Sequence, residues 1–90
     1  MDKTIYIFSL HDCSHCKSLK KRLKKMSVPF TDVDISVNQD LWSQVVEQTK
    51  TNFVPTVFVR HGETEEGDIY IPEKDFKSED ELIESLKKYL

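Results

Sequence analysis

The sequence has few of the residues that interrupt regular structure, with two glycines and three prolines among 90 residues, and it has no linker-like segment. It also lacks any apolar run near the roughly 18 residues that a membrane-spanning helix needs. Its start, MDKTIYIFSL, has no basic segment followed by a long apolar stretch, so we predict no signal peptide. We therefore predict no membrane partner and a reducing cytoplasmic location, where a lasting structural disulfide is not expected.

The remaining composition is typical of one small soluble domain spanning residues 1–90. The net charge is −3, but it is unevenly distributed. Residues 1–30 carry seven Lys or Arg against two Asp, whereas residues 61–90 carry ten acidic residues against four Lys. This pattern fits two solvated faces of opposite sign, or a basic helix that attracts an acidic partner. Nucleic acid is not a predicted partner, because the chain is acidic overall and its aromatic residues fit a core.

Apolar periodicity predicts an α/β fold with the element order β-α-β-α-β-β-α. We expect strands at 3–9, 30–35, 56–59 and 68–71, and helices at 14–26, at 38–49 and from Ser78 onward. The first three elements form a right-handed parallel βαβ unit, and the last two strands pair as a hairpin across the turn RHGETEEG. The last helix begins with a Ser78–Glu81 capping box and buries a stripe that ends at Leu90. A four-stranded mixed sheet flanked by three helices is the simplest layered arrangement of these elements.

Both cysteines lie in the stretch SLHDCSHCKSLKK, where the first strand passes into the first helix. The first N–H groups of a helix have no backbone partners, and the helix dipole is positive there. A thiolate at Cys13 is stabilised by both effects, which bring cysteine pKa values to about 3.5–7.5. Cys16 lies on the inward stripe with Leu19 and Leu23. We therefore expect an exposed, nucleophilic Cys13 and a sheltered, resolving Cys16, as thiol–disulfide exchange requires.

Two neighbours are candidates for tuning the thiolate. A partly protonated His15 favours the charged sulfur, whereas the carboxylate of Asp12, next to Cys13, disfavours a second negative charge. The sequence alone does not decide which effect is larger.

A zinc site is the main competing interpretation of this stretch. C-x2-C is half of such a site, and His11, His15 or His61 could complete it. However, the sequence has no second C-x2-C, and its H-x3-H, formed by His11 and His15, overlaps the cysteine pair, so a four-ligand site would need both histidines to reach round the same turn. A C-x-x-C pair in a cytosolic βαβ setting favours redox chemistry, so we predict no metal.

The segments IYIFSLHDCSHCKSLKKRL and NFVPTVFV together resemble the glutaredoxin family, a branch of the thioredoxin superfamily. The resemblance implies a thioredoxin-like fold and a dithiol–disulfide oxidoreductase that serves as an electron carrier. It assigns Cys13 as the nucleophile and Cys16 as the resolving thiol. It also implies a cis peptide bond at Pro55, and a backbone at Val54 that binds a substrate or glutathione in the manner of a β-strand.

The sequence departs from the family where glutathione is usually bound. Leu10 stands where a lysine is often found, and Asn52 lies near a position that is often basic. The Gly-Gly that follows the last strand is replaced by YIPEKDF, in which Glu73 and Asp75 would repel the γ-glutamyl carboxylate. We therefore expect no tightly bound cofactor and only weak use of glutathione as reductant.

The sequence thus predicts one function and leaves one alternative open. The predicted protein is a monomer that reduces protein disulfides, or glutathione mixed disulfides, through its C-S-H-C active site. Glutathione or a flavoprotein disulfide reductase then regenerates the dithiol. The alternative is a module without turnover, either a thioredoxin-like binding domain or a small zinc-binding domain that uses Cys13 and Cys16.

Overall fold

The computed structural model describes residues 3–62 and 67–89. The strands are β1 (Lys3–Ser9), β2 (Thr31–Asp34), β3 (Thr56–His61) and β4 (Gly67–Tyr70). The helices are α1 (Ser14–Lys25), α2 (Gln39–Thr49) and α3 (Glu79–Leu86), and a short 3-10 helix follows at Lys87–Tyr89. This order confirms the predicted β-α-β-α-β-β-α sequence of elements. The predicted turn between β3 and β4 lies partly outside the described residues, as does Leu90.

The four strands form one mixed sheet in the order β2-β1-β3-β4. Strand β1 runs parallel to β2, with Phe8 opposite Val33, and antiparallel to β3, with Ile7 opposite Val57. Strand β3 continues antiparallel into β4, with Val57 opposite Tyr70. The predicted parallel βαβ unit and the terminal hairpin are both confirmed. The fold is therefore a thioredoxin-like arrangement of a mixed sheet and three helices.

The main core lies between one face of the sheet and helices α1 and α3. Strand β1 alternates, so its odd-numbered side chains Ile5 and Ile7 point to this face. The helices meet them with leucines at helical spacing, Leu19 and Leu23 from α1, and Leu82 together with Ile83 and Leu86 from α3. All of these residues are buried, which fixes α1, and with it the cysteine pair, against the sheet.

The opposite face of the sheet is covered by α2 and is packed less tightly. Phe8 is buried there, and its ring centroid lies 5.6 Å from that of Trp42. Trp42 and Val45 lie on the side of α2 that faces the sheet, and both are only half-buried. Asn38 is the N-cap of α2, but its side chain donates to the carbonyl of Asp34 at 2.8 Å and makes no capping hydrogen bond. Helix α2 therefore begins without a side-chain cap, whereas at its end the N–H of Lys50 donates to the Val46 carbonyl at 2.7 Å.

Helix α3 starts at a partial capping box. The hydroxyl of Ser78 accepts a hydrogen bond from the Glu81 N–H at 3.2 Å. The Glu81 carboxylate reaches back by one residue more than predicted and accepts from the N–H of Lys77 at 2.6 Å. Within residues 3–62 and 67–89, no helix has both the length and the apolar character needed to cross a membrane.

Candidate active site

Cys13 is the N-cap residue of α1. Its backbone is extended, with φ −90° and ψ 112°, and its Sγ accepts a hydrogen bond from the Cys16 N–H at 3.2 Å. The Cys13 N–H donates to the carbonyl of Leu10 at 3.2 Å, which closes the turn after β1. A cysteine thus takes the capping position usually held by Ser, Thr, Asp or Asn. Its sulfur lies where the helix presents unpaired N–H groups and positive potential.

The two cysteines differ in exposure as the sequence predicts. Cys16 is fully buried beside Leu19, whereas Cys13 is half-buried rather than freely exposed. Their Cα atoms are 5.3 Å apart, and the two sulfurs form a disulfide. Residues three apart at the start of a helix lie close enough for their side chains to meet, and the Cα separation is within the usual range for a disulfide. The structure therefore shows the oxidised form of a C-x-x-C pair.

The peptide bond between Val54 and Pro55 is cis, as the resemblance implied. Pro55 is buried, Val54 is half-buried, and the Thr56 hydroxyl donates to the Phe53 carbonyl at 2.6 Å across the turn. Because β3 pairs antiparallel with β1 and Thr56 lies opposite Phe8, β3 begins at the sheet end where β1 stops. The turn around Pro55 and the turn that holds Cys13 therefore share one end of the sheet.

A groove of about 500 Å³ runs from α1 past the proline turn to the start of α3. Its apolar part is formed by Leu19, Phe53, Val54, Pro55, Phe76 and Leu82. His15 lies on its rim, whereas Asp12 is exposed in the turn before Cys13. Of the residues predicted for the site, the groove brings together His15, Val54 and Pro55. The tuning roles of His15 and Asp12 stay predictions.

The rim of the groove near α3 carries both signs of charge, from Glu73, Lys77 and Glu79. The structure separates the two carboxylates that the sequence grouped together. Glu73 lines the groove, whereas the Asp75 carboxylate accepts a hydrogen bond from the Ile71 N–H at 2.8 Å and shapes the loop. Glu73 has φ +71°, in the left-handed region that favours glycine. Glu73 thus places a carboxylate at a position where the backbone conformation favours glycine.

Glu79 is a rim residue that sequence reasoning missed. Arg22 of α1 donates to Glu79 at 3.2 Å and also to Asp80, which joins the first turn of α3 to α1. The signal available was the acidic run SEDE at the start of the last helix, which places three carboxylates in its first turn. Its location beside the groove depends on the tertiary fold.

The three histidines do not converge on the cysteines. His61 ends β3 opposite Lys3, at the other end of the seven-residue β1 from the cysteines, a separation of about 20 Å. There its Nε2 lies 3.0 Å from the carboxylate of Asp68. His61 therefore cannot complete a zinc site with the cysteines. In the described part of the chain, no group of three or more His, Cys, Asp or Glu residues is arranged to hold a metal ion.

Comparison with solved structures supports the fold assignment. Wheat glutaredoxin superposes with a TM-score of 0.60 at 23% identity, over 94% of this chain and 69% of the wheat chain. Thioredoxin 1 of the thermophilic eubacterium Thermosipho africanus TCF52B gives a TM-score of 0.62 at 21% identity, over 96% and 92% of the two chains. A buckwheat glutaredoxin–glutathione complex gives 0.59 at 17% identity, over 97% and 71%. At these identities the similarity establishes the thioredoxin-like fold.

The sequence comparison identifies the family. No curated protein is significantly similar to this chain. The sequence model of the glutaredoxin family matches residues 5–63, which include both cysteines and the cis-proline turn. Together with the cysteine pair at the start of α1, this match indicates a thioredoxin-like redox role. The chain belongs to the glutaredoxin family.

Proposed function

We propose that the protein is a dithiol–disulfide oxidoreductase that reduces disulfides in other proteins. One observation carries the proposal: the half-buried Cys13 caps α1 through its sulfur, directly in front of the fully buried Cys16. Helix N-termini favour thiolates, and the thiolate is the form of cysteine that attacks disulfides. The sheltered partner is protected from competing reactions until the first exchange has occurred.

The proposed reaction has two exchange steps. The Cys13 thiolate attacks one sulfur of the substrate disulfide, which forms a mixed disulfide and releases the other substrate sulfur as a thiolate. The Cys16 thiolate then attacks Cys13 Sγ, closes the Cys13–Cys16 disulfide and releases the second substrate thiolate. The substrate gains two electrons and, after protonation, two protons. A thiol reductant or a flavoprotein disulfide reductase returns the same two electrons to the protein.

The groove beside Pro55 supplies the proposed substrate contact. The turn at Val54–Pro55 lies at the end of the sheet, where an extended segment can pair with the backbone N–H and C=O of Val54. The apolar part of the groove, with Phe53 47% exposed, suits uncharged side chains next to the substrate cysteine. Such backbone pairing accepts many sequences, which fits a reductase of several protein substrates.

Charge at the groove supports weak use of glutathione. The buckwheat glutaredoxin was solved in complex with glutathione, so a structurally similar protein binds this tripeptide. Glutathione carries two carboxylates. In this chain Glu73 and Glu79 line the groove, and among the described lining residues Lys77 is the single lysine. We therefore propose that a flavoprotein reductase is a better electron donor than glutathione.

Cysteine variants test the proposed reaction. We expect Cys13→Ser to abolish reduction of a protein disulfide, and Cys16→Ser to accumulate a mixed disulfide that non-reducing gel electrophoresis detects. Reduction by Cys13→Ser at the native rate would contradict the mechanism. Stoichiometric zinc on the reduced wild-type protein, bound through both thiols, would instead support the binding-domain alternative.

A further inference from the structure

Helix α1 carries a row of lysines that continues directly from the active-site cysteine. Cys13, Lys17, Lys20 and Lys24 are spaced by four, three and four residues, the interval that places side chains above one another on a helix. Lys21 lies beside this row. The buried residues of α1, Cys16, Leu19 and Leu23, occupy an adjacent face against the sheet. We refer to Lys17, Lys20, Lys21 and Lys24 as the lysine stripe.

The stripe is largely uncompensated by acidic neighbours. Lys20 alone forms an ion pair, with Asp32 at 2.9 Å. Lys17, Lys21 and Lys24 are exposed and make no salt bridge within residues 3–62 and 67–89. Arg22, by contrast, is bound to Glu79 and Asp80 of α3. The free positive charge of α1 is therefore concentrated on the side that faces away from α3.

The stripe borders a shallow trough between α1 and the edge strand β2. Its volume is about 570 Å³, and Val28, Pro29, Phe30 and Asp32 form the wall opposite the lysines. Four lysines thus face one aspartate. Lys17 and Lys24 are seven residues apart, about 10 Å along the helix axis, which matches roughly three residues of an extended chain. The lysine stripe therefore matches a short extended segment in length, and its charge suits an acidic one.

We propose that the lysine stripe docks an acidic segment flanking the disulfide of a protein substrate. This inference rests on the proposed exchange at Cys13, because the mixed disulfide brings the substrate cysteine to the top of the stripe. The groove, with Glu73 and Glu79 on its rim, is lined by His15, two residues after Cys13, whereas the trough beside the stripe begins at Lys17, one helical turn after Cys13. A substrate with acidic residues on a single flank is therefore held in one orientation.

The charge distribution of the whole molecule favours a protein segment over nucleic acid. The chain has a net charge of −3, and the first turn of α3 presents Glu79, Asp80 and Glu81. A duplex or a long single strand carries many phosphates beyond the roughly 10 Å stripe and would lie against a molecule of net negative charge, whereas a short acidic peptide matches the stripe in length. Electrostatic complementarity of this kind increases mainly the association rate and the selectivity for partners.

Paired peptide substrates test the proposal. Two peptides of otherwise identical sequence each contain the same internal disulfide. One carries three glutamates next to one of its cysteines, and the other carries three glutamines at the same positions. We expect kcat/KM for the acidic peptide to be higher by on the order of tenfold at low salt, and this preference to shrink at about 0.5 M salt. The double variant Lys17→Glu/Lys21→Glu should lose or reverse the preference.

A matched control carries the same change of charge at a distant place. Lys3 and Lys88 both lie with Nζ 5.2 Å from the ring of Tyr89, and Lys3 begins β1 at the end of the sheet away from Cys13. The double variant Lys3→Glu/Lys88→Glu should keep the preference for the acidic peptide. An equal loss in both double variants would show that net charge, not the stripe, selects the substrate, and would overturn the proposal.

A binding experiment separates this inference from the proposed reaction. A version of the acidic peptide with serine in place of both cysteines is titrated into the protein while backbone amide NMR shifts are recorded. We expect the shifts to concentrate at 17–24 and to vanish in Lys17→Glu/Lys21→Glu. Such shifts without turnover of either peptide would refute the reductase but support the docking site. Equal turnover of both peptides without shifts would refute the docking site alone, as would tighter binding of an oligonucleotide to the same lysines.

Discussion

The N–H of Cys16 donates a hydrogen bond to Sγ of Cys13 at 3.2 Å, so the proposed resolving cysteine contributes to the environment of the proposed nucleophile. Cys16 itself is fully buried. In the reduced protein we expect iodoacetamide to modify Cys13 first, and Cys16 at least about tenfold more slowly. Mass spectrometry of peptides after brief alkylation measures both rates. Equal modification of the two cysteines would contradict the proposed division of roles.

Asp12 is the nearest carboxylate in sequence to the nucleophile, and it is exposed in the turn before α1. Removing its charge in Asp12→Asn should favour the Cys13 thiolate, because a neighbouring negative charge opposes ionisation of the thiol. The alkylation rate should then rise at a lower pH than in the wild type, and His15→Ala should move the profile in the opposite direction. Asp40→Asn, an exposed change in the first turn of α2, is the control. Unchanged profiles in both test variants would remove Asp12 and His15 from the site.

Glu73 provides a direct test of the electron donor. It lines the groove and is exposed. Neutralising it in Glu73→Gln should lower the KM for glutathione about threefold, since one exposed repulsion costs up to roughly 1 kcal/mol. The exposed Glu47 of α2 lies outside the groove, and Glu47→Gln should leave this KM unchanged. A low KM in the wild type, with no change in Glu73→Gln, would show that the acidic rim does not limit glutathione.

Local patterns in the sequence account for most of the fold. The alternation in β1 identifies two faces, and the structure places Ile7 and Phe8 in separate clusters on opposite sides of the sheet. The spacing of Cys16, Leu19 and Leu23 likewise identifies the buried face of α1. These signals are local because strand and helix periodicities act over a few neighbouring residues.

Contacts between distant residues could not be obtained in the same way. Arg22 and Glu79 are 57 positions apart, and their ion pair depends on how α1 and α3 pack together. Sequence reasoning assigned Glu73 and Asp75 the same role, repulsion of the γ-glutamyl carboxylate of glutathione. In the structure the Asp75 carboxylate instead accepts a hydrogen bond from the Ile71 N–H within its own loop. The cis bond at Pro55 was predicted from the family resemblance, since a proline at the start of a strand is also compatible with a trans bond. The helices and strands could therefore be predicted from local patterns, whereas the contacts within the site depend on how distant segments pack together.

The packing of α1 against the sheet positions the cysteine pair, so core variants should affect stability strongly. Leu23 is fully buried in the main core. Leu23→Ala should lower the free energy of unfolding by about 2–5 kcal/mol, because it removes apolar burial and leaves a cavity. Leu41 is 44% exposed on α2, and Leu41→Ala should cost well under about 1 kcal/mol. Urea denaturation of both variants makes the comparison, and similar midpoints would contradict the assigned core.

At the far end of the sheet, Asp68 connects β4 to the C-terminal 3-10 helix and should make stability depend on pH. Hydrogen bonds from Tyr89 and then from His61 hold the pKa of Asp68 below its ordinary value of 3.8. A carboxyl group with a lowered pKa stabilises the fold fully above its unfolded-state pKa, and this contribution is lost as pH falls through the folded-state pKa. Stability should therefore decline as the pH drops below about 4.

Two tyrosine variants isolate this effect. Tyr89→Phe removes the hydrogen bond to Asp68, so the loss of unfolding free energy between pH 6 and pH 3 should be smaller than in the wild type. Tyr70→Phe removes only the 2.8 Å contact between the two tyrosine hydroxyls, and should keep the wild-type slope. Urea denaturation across this pH range gives the measurement. Parallel pH profiles for Tyr89→Phe and the wild type would show that other carboxylates account for the acid sensitivity.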